Sequence, residues 1–313
     1  MKNLKLLLVS LAILFSHNLT MGQGPKDGKN ERNPVKSALN AFKFRSIGPA
    51  FMSGRIADIA IDPKNENVWY VAVGSGGVWK TENSGTTWTP LADNMPFYST
   101  GCITIDPHNN SSIWLGTGEN VGGRHVGIGH GVYHSKDGGK SWKDMGLKKS
   151  EHISKIIVHP DDPNTVWVAS QGPLWSPGGE RGLFKTTNGG KTWKNTLDIN
   201  EWTGVTDLVI DPNNPNILYA ASWQKHRNVA ALIGGGPGTS LYKSVDGGDN
   251  WSKIDKGLPR SNKGKIGLAI SPMQPNVLYA AVELDKRAGA VYRSDNSGGS
   301  WKKMSDTVSG GTG

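Results

Sequence analysis

The chain contains one cysteine, Cys102, among 313 residues. An internal disulfide is therefore excluded, and stability has to come from a large packed core rather than covalent staples. Cys102 is also not placed where a lipid-anchor cysteine would follow a leader. Long apolar runs are scarce: Leu6 to Phe15 is too short to span a bilayer, and no other stretch reaches its length. Long helical patterns are missing, as is any lysine run interleaved with aromatics, which argues against nucleic acid as a partner. Gly234–Gly238 (GGGPG) lacks the lysine of a phosphate loop, and no Ser/His/Asp elbow is present. No cofactor is expected.

What is abundant is turn chemistry. The 42 glycines and 17 prolines follow no collagen period and read as turns. Lys2 and Lys5, the apolar run, and Thr20-Met21-Gly22 read as a secretory signal over residues 1–22, with a linker over 23–43. The expectation is an exported, non-membrane-spanning protein: periplasmic, secreted or held at the cell surface. The formal charge is +9, or +7 without Lys2 and Lys5. Lysines on hairpins, such as Lys140, Lys143 and Lys191, account for much of it.

One short turn recurs five times: Thr81–Trp88 (TENSGTTW), Ser135–Trp142 (SKDGGKSW), Thr186–Trp193 (TTNGGKTW), Ser244–Trp251 (SVDGGDNW) and Ser294–Trp301 (SDNSGGSW). The closing tryptophans Trp88, Trp142, Trp193, Trp251 and Trp301 fall 54, 51, 58 and 50 residues apart. Each unit opens on a β-rich stretch, a Pro/Asn turn and a second stretch, as in TDLVIDPNNPNILYAAS. A third stretch enters the box, and a fourth follows its tryptophan. Four antiparallel strands per unit of this length make a propeller blade. The third box residue (Asn83, Asp137, Asn188, Asp246 or Asn296) is positioned to accept backbone N–H bonds inside the turn. The boxes lack the terminal Glu of a calcium loop. His125 and His130, near Glu119, lie in a glycine-rich stretch with no stiff third ligand, so no metal is expected.

The S-x-D-x-G-x-T-W box, with SGRIADIAIDP, VGSGGVWKT and YRSDNSGGSW, resembles the Asp-box, or BNR, repeat of exported bacterial propellers related to the sortilin (VPS10) N-terminal domain. It is similar, more loosely, to xyloglucanase-type glycoside hydrolases and sialidases. The resemblance covers about residues 44–306 and implies an all-β propeller over residues 44–308, followed by a tail at 309–313. Such relatives usually have more than five blades, so two arrangements stand open: five blades that close on themselves or, the favoured one, an incomplete part of a larger propeller. The fold hosts enzymes and receptors alike, so function has to be read from the site.

Of the twelve tryptophans, five close the boxes, Trp69, Trp114 and Trp167 align with Tyr219 and Tyr279 on the second strand, and Trp79 aligns with Tyr133, Phe184, Tyr242 and Tyr292 on the third; Trp175, Trp202 and Trp223 remain outside the repeat. Antiparallel order sends the loops between second and third strands, and the links between blades, to one face. These three tryptophans fall in those segments, as do Asn120, Arg124, Glu180, Arg181, Gln224, His226, Arg227, Glu283, Asp285 and Arg287. Flat aromatics there suit a sugar ring or a peptide. Trp175, Trp202, Trp223, Arg124, Arg181, His226 and Arg227 are the expected ligand-binding set, and an extracellular protein or carbohydrate the expected partner. Oligomeric state is open.

Candidate catalytic carboxylates are Asp58 and Asp207 on the innermost strands, and Glu119 and Glu180 in the loops. Asp58 and Asp207 share their strand position with Cys102, Lys155 and Gly267. A two-carboxylate glycosidase arrangement competes there with a structural pairing to Lys155 or Arg55. The resemblance implies an acid Asp just before the glycine pair of the first unit, where this chain has Gly74. Phe44–Pro49 only partly echoes the first sialidase arginine motif. An exported binding module is therefore favoured, with a glycoside hydrolase as the alternative.

Overall fold

The computed structural model describes residues 55–123, 126–284 and 289–305. They all lie in one compact unit. The expected leader, linker and tail, Phe44–Pro49, Arg124, His125, Asp285 and Arg287 lie outside the described residues.

Blade 1 comprises β1 (Ile56–Ile61), β2 (Trp69–Val73), β3 (Gly77–Thr81) and β4 (Thr89–Pro90). Blade 2 comprises β5 (Thr100–Asp106), β6 (Asn109–Thr117), β7 (Val132–Ser135) and β8 (Lys143–Asp144). Blade 3 has β9 (Ile153–Val158), β10 (Val166–Ser170), β11 (Gly182–Thr186) and β12 (Lys194–Leu197). Blade 4 has β13 (Thr203–Asp211) and β14 (Asn214–Gln224), then a hairpin of β15 (His226–Arg227) and β16 (Leu232–Ile233), then β17 (Leu241–Ser244) and β18 (Ser252–Lys253). Blade 5 has β19 (Lys263–Ile270), β20 (Leu278–Leu284), β21 (Gly289–Ser294) and β22 (Lys302–Lys303). Each blade is a four-stranded antiparallel sheet in chain order, with the β15–β16 hairpin as an insertion in blade 4.

The core is divided among the gaps between blades. Trp114 and Val132 of blade 2 meet Ile156, Val168 and Phe184 of blade 3. Equivalent clusters fill the other three gaps. Period-2 alternation explains this: each strand turns one set of side chains to the preceding blade and the other to the next.

The box is a hydrogen-bonded clasp. Ser135 Oγ donates to Asp137 Oδ1 (2.8 Å) and accepts from the Gly139 amide (2.8 Å), while Asp137 Oδ1 accepts from the Ser141 amide (2.9 Å). Bonds from the Ser141 hydroxyl and amide pull the Asp137 carboxyl down to about 2. The other four boxes repeat the pattern through Asn83, Asn188, Asp246 and Asn296. In blades 2 to 5 the glycine at the fifth box position (Gly139, Gly190, Gly248 or Gly298) faces the preceding blade: a side chain on Gly190 (φ +80) would start 3.0 Å from the Trp114 ring.

The box tryptophans are not equivalent, contrary to a uniform core role. Trp142 Nε1 donates to Leu91 O (3.0 Å), Trp193 to Met145 O (2.7 Å) and Trp301 to Ile254 O (2.8 Å), each bond crossing to the preceding blade. Trp251 instead donates within its own box, to Gly248 O (3.1 Å). Trp88 is 40% exposed and meets Trp69 edge-on. Register also corrects the second-strand alignment. Tyr70 pairs with Lys80 as Trp114 does with His134 and Trp167 with Lys185, so Tyr70, not Trp69, holds the repeat position. A cationic or imidazole side chain covers each ring in that row: Lys80 on Tyr70, His134 on Trp114, Lys185 on Trp167, Lys243 on Tyr219 and Arg293 on Tyr279.

The flanks at the two ends of the row of blades differ from its middle. Ile56, Ile59 and Ile61 of β1 are exposed, as is Tyr279 of β20, whereas Trp114, Trp167 and Tyr219 are buried by the blade that follows.

Candidate functional site

Among the described residues, the second-to-third-strand loops and the inter-blade links do share one face. The Gly178 amide of the blade 3 loop donates to Glu201 O (2.8 Å) in the link to blade 4. The Lys225 amide donates to Trp202 O (3.2 Å) and the Arg227 amide to Leu174 O (3.0 Å). These bonds gather Trp175, Trp202, His226 and Arg227. Trp175 is 51% exposed with the Arg227 guanidinium 5.1 Å over its ring. Trp202 is half-buried, 4.0 Å from the His226 ring between centroids.

Two members of the expected binding set are structural instead. Trp223 lies in β14, opposite Gly204, and is only 4% exposed. Its Nε1 donates to Gly234 O (2.8 Å), and Lys225 and Lys265 sit 5.1 and 5.5 Å from its ring centre. Gly204 lets the backbone of blade 3 come close, since a side chain there would begin 2.4 Å from Gln171 O. Arg181 is buried and donates to the carbonyls of Gln171, Pro173 and Ser176, holding the blade 3 loop. Burial lowers its guanidinium to about 10.

The carboxylates singled out in the sequence are engaged. Asp58 Oδ2 accepts from the Ile103 amide (3.1 Å) and Asp207 Oδ2 from the Leu268 amide (2.7 Å), each in the inner strand of the next blade. Their other oxygens accept the amides of Ile59 and Leu208. Burial raises the Asp207 carboxyl, against the pull of those amides. Both aspartates thus stitch inner strands together; neither forms an ion pair with Lys155 or Arg55 among the described residues, while the Lys155 charge helps hold the Asp207 carboxyl down. Glu180 Oε2 accepts the Lys149 amide (2.7 Å). Glu119, fully buried, binds Arg55 (2.5 Å) and the Gly127 amide (2.8 Å). Its Oε1 lies 2.6 Å from where a Cβ on Gly74 would stand, so a side chain at 74 has no room beside it.

Sequence reasoning missed two features. One is an internal polar knot: Lys225 Nζ donates to Gln171 Oε1 (2.7 Å), Gln171 Nε2 to Asn120 O (3.1 Å), and Lys265 Nζ to Asn120 O. Burial, then the nearby Arg181 and Lys265 charges, lower the Lys225 pKa well below its ordinary value. Nothing in the string Gln224-Lys225-His226 signals a buried lysine. The other is a cleft of about 390 Å³ lined by Gly178, Arg181, Asn195, Asp198, Asn200 and Glu201. The side chains of Asp198 and Glu201 accept no hydrogen bond among the described residues, and Glu201 immediately precedes Trp202. The adjacency of Glu201 to an aromatic outside the repeat was the available sequence signal.

Five four-stranded antiparallel sheets, each closed by the same clasp, define an Asp-box (BNR) β-propeller with xyloglucanase-like similarity. A family model described as Sortilin-Vps10 (sortilin, neurotensin receptor 3) matches residues 130–259. A probable oligoxyloglucan-reducing end-specific xyloglucanase of Neosartorya fischeri is 23% identical over 240 residues, covering 70% of this chain and 26% of that protein. A xyloglucanase of Hypocrea jecorina is 22% identical over 301 residues, covering 86% of this chain and 34% of its own. The chain thus spans about a quarter to a third of these relatives' length. Among solved structures, an ancestral GH74 enzyme superimposes with a TM-score of 0.63 at 24% identity, over 80% of this chain and 31% of that one. YCF48 bound to D1 peptide matches with a TM-score of 0.50 at 18% identity, over 82% of this chain and 68% of that one. These structural likenesses concern the fold. No helix among the described residues is long and apolar enough to cross a membrane.

Proposed function

We propose that this chain is an exported glycan-binding propeller whose ligand lies across the loops of blades 3 and 4. The observation that carries this is Trp175, an exposed indole braced by Arg227 and joined through the same loop contacts to the Trp202–His226 pair. The cleft containing Asp198, Asn195, Asn200 and Glu201 supplies amide and carboxylate groups suited to sugar hydroxyls. Similarity to xyloglucanases makes a xyloglucan oligosaccharide the first ligand to try.

Hydrolysis is the second reading, and Asp198 and Glu201 favour it by lining one cleft without hydrogen-bonded partners. Asp58, Asp207, Glu119 and Glu180 hold backbone amides, and Glu119 an arginine as well, which weighs against them as proton-transfer groups.

The test is calorimetric titration of the full chain with xyloglucan oligosaccharides, alongside a product assay. Stacking on each indole contributes about 0.5–1.5 kcal/mol beyond area burial. The double variant Trp175→Ala/Trp202→Ala is expected to lose about tenfold or more in affinity while keeping its circular dichroism spectrum. Equal affinity in the folded double variant refutes the assigned face. Turnover that disappears in Asp198→Asn establishes the hydrolase reading.

A further inference from the structure

The link from blade 4 to blade 5 carries a second concavity, which the binding reading above does not use. The lining of this cleft, of about 490 Å³, includes Lys253, Asp255, Lys256, Pro259, Arg260 and Lys263. Four of these side chains are cationic and one is anionic. Lys253 pairs with Asp255 at 3.1 Å, whereas Lys256, Arg260 and Lys263 form no ion pair among the described residues; the Asp255 charge reaches Lys263 without contacting it.

Lys263 is the unusual member. It is only 7% exposed, yet its ammonium, with three hydrogens to donate, bonds a single acceptor, Pro259 O at 3.2 Å. A buried cation so lightly satisfied is unfavourable unless an opposite charge approaches. Burial, and then the Lys253 charge, lower its pKa in spite of the opposing Asp255 charge. The backbone holds it in place: the Gly236 amide donates to Lys263 O (3.2 Å), and a side chain on Gly235 would begin 2.5 Å from the same oxygen. The Gly234–Gly238 run, which has no lysine of its own, is therefore laid against a lysine from the next blade. On its other side Gly234 O receives the Trp223 indole, so the run separates this cleft from the polar knot.

We propose that this cleft binds a tetrahedral oxyanion, the sulfate or phosphate ester group of a larger ligand. Lys263 supplies a desolvated charge at the floor, and Lys256 and Arg260 supply exposed donors at the rim. Guanidinium and ammonium donors match such oxygens, and Arg260 is able to bind two of them at once. The volume exceeds that of the inorganic ion, which leaves room for the group that bears the ester.

The experiment is calorimetric titration of the full chain with inorganic sulfate and, separately, inorganic phosphate, at low salt and again in added chloride. One saturable site per chain is expected for at least one ion, weakened by chloride. A preference for sulfate assigns a sulfate ester, and a preference for phosphate a phosphate ester. Arg260→Gln and Lys256→Gln, both at exposed positions, are each expected to weaken binding at least fivefold. Lys140→Gln, on a distant box, leaves it unchanged, and Lys263→Met abolishes it. The proposal is overturned if neither ion saturates a site, or if folded Arg260→Gln and Lys256→Gln bind as tightly as the parent. Neither outcome depends on Trp175 or Trp202, so the glycan reading stands or falls separately.

Discussion

His152 illustrates how a single side chain sets a pH response in this protein. It is 1% exposed, and its Nδ1 has no hydrogen-bond partner among the described residues. Burial, followed by the Lys225 and Arg181 charges, lowers its pKa to about 3. The folded state therefore keeps His152 neutral at pH values where the unfolded chain, titrating near 6.5, takes up a proton. Stability is intact above about pH 6.5 and falls as pH drops from there towards 3, by at most about 1.4 kcal/mol per pH unit from this group. His134, lowered to about 4, adds to the same window, whereas Asp137, lowered to about 2, loses its contribution only as pH falls below about 4. Urea midpoints measured from pH 7 to 4 are expected to decline, and His152→Asn to flatten the decline. An identical slope in the variant shows that the acid response arises elsewhere.

Among elements, the box hairpin makes the sharpest contrast, because one sequence motif meets three environments. Trp301 is 5% exposed and bonds across to Ile254 O; Trp142 is half-buried and bonds to Leu91 O; Trp88 is 40% exposed. Loss of a buried indole costs about 3–5 kcal/mol, and a surface change within about 0.5. Trp301→Ala is thus expected to destabilise most, Trp142→Ala by an intermediate amount and Trp88→Ala least, with thermal melts reporting the order. Equal melting shifts for all three refute the view that the neighbouring blade, rather than the motif, decides the cost. The strand order, the box chemistry and the split of loops between two faces were legible in the sequence, because period-2 patterning and turn residues act locally. The misassigned Trp69 was not: Trp69 and Tyr70 are consecutive aromatics, and only the pairing of Tyr70 with Lys80 shows which one faces the next blade.

For the whole molecule, the unit of stability is the gap between blades, since each buried cluster draws on two neighbours. Repeat architectures of this kind derive their stability from nearest-neighbour interfaces. Blade 3 has such an interface on both sides, while β1 leaves Ile56, Ile59 and Ile61 exposed. Hydrogen exchange is expected to be slowest in β10, where all five residues are buried, and faster in β1. Indistinguishable protection of the two strands counts against this division of the core.

The sequence by itself determined the blade, its period and its clasp, because Ser/Thr, Asp/Asn and glycine at fixed offsets act within one turn. It also marked Trp175, Trp202, His226 and Arg227 as outside the repeat. Only the tertiary structure decided that Trp223 and Arg181 turn inward, that Asp58 and Asp207 hold a neighbour's amides, and that Lys263 lies against the Gly234–Gly238 run. For Asp58, Asp207 and Lys263 the outcome depends on which blade packs alongside, and contacts between residues tens of positions apart leave no local pattern in the chain; Trp223 and Arg181 turn inward onto carbonyls of their own blade's loop, whose path the residue types alone do not mark.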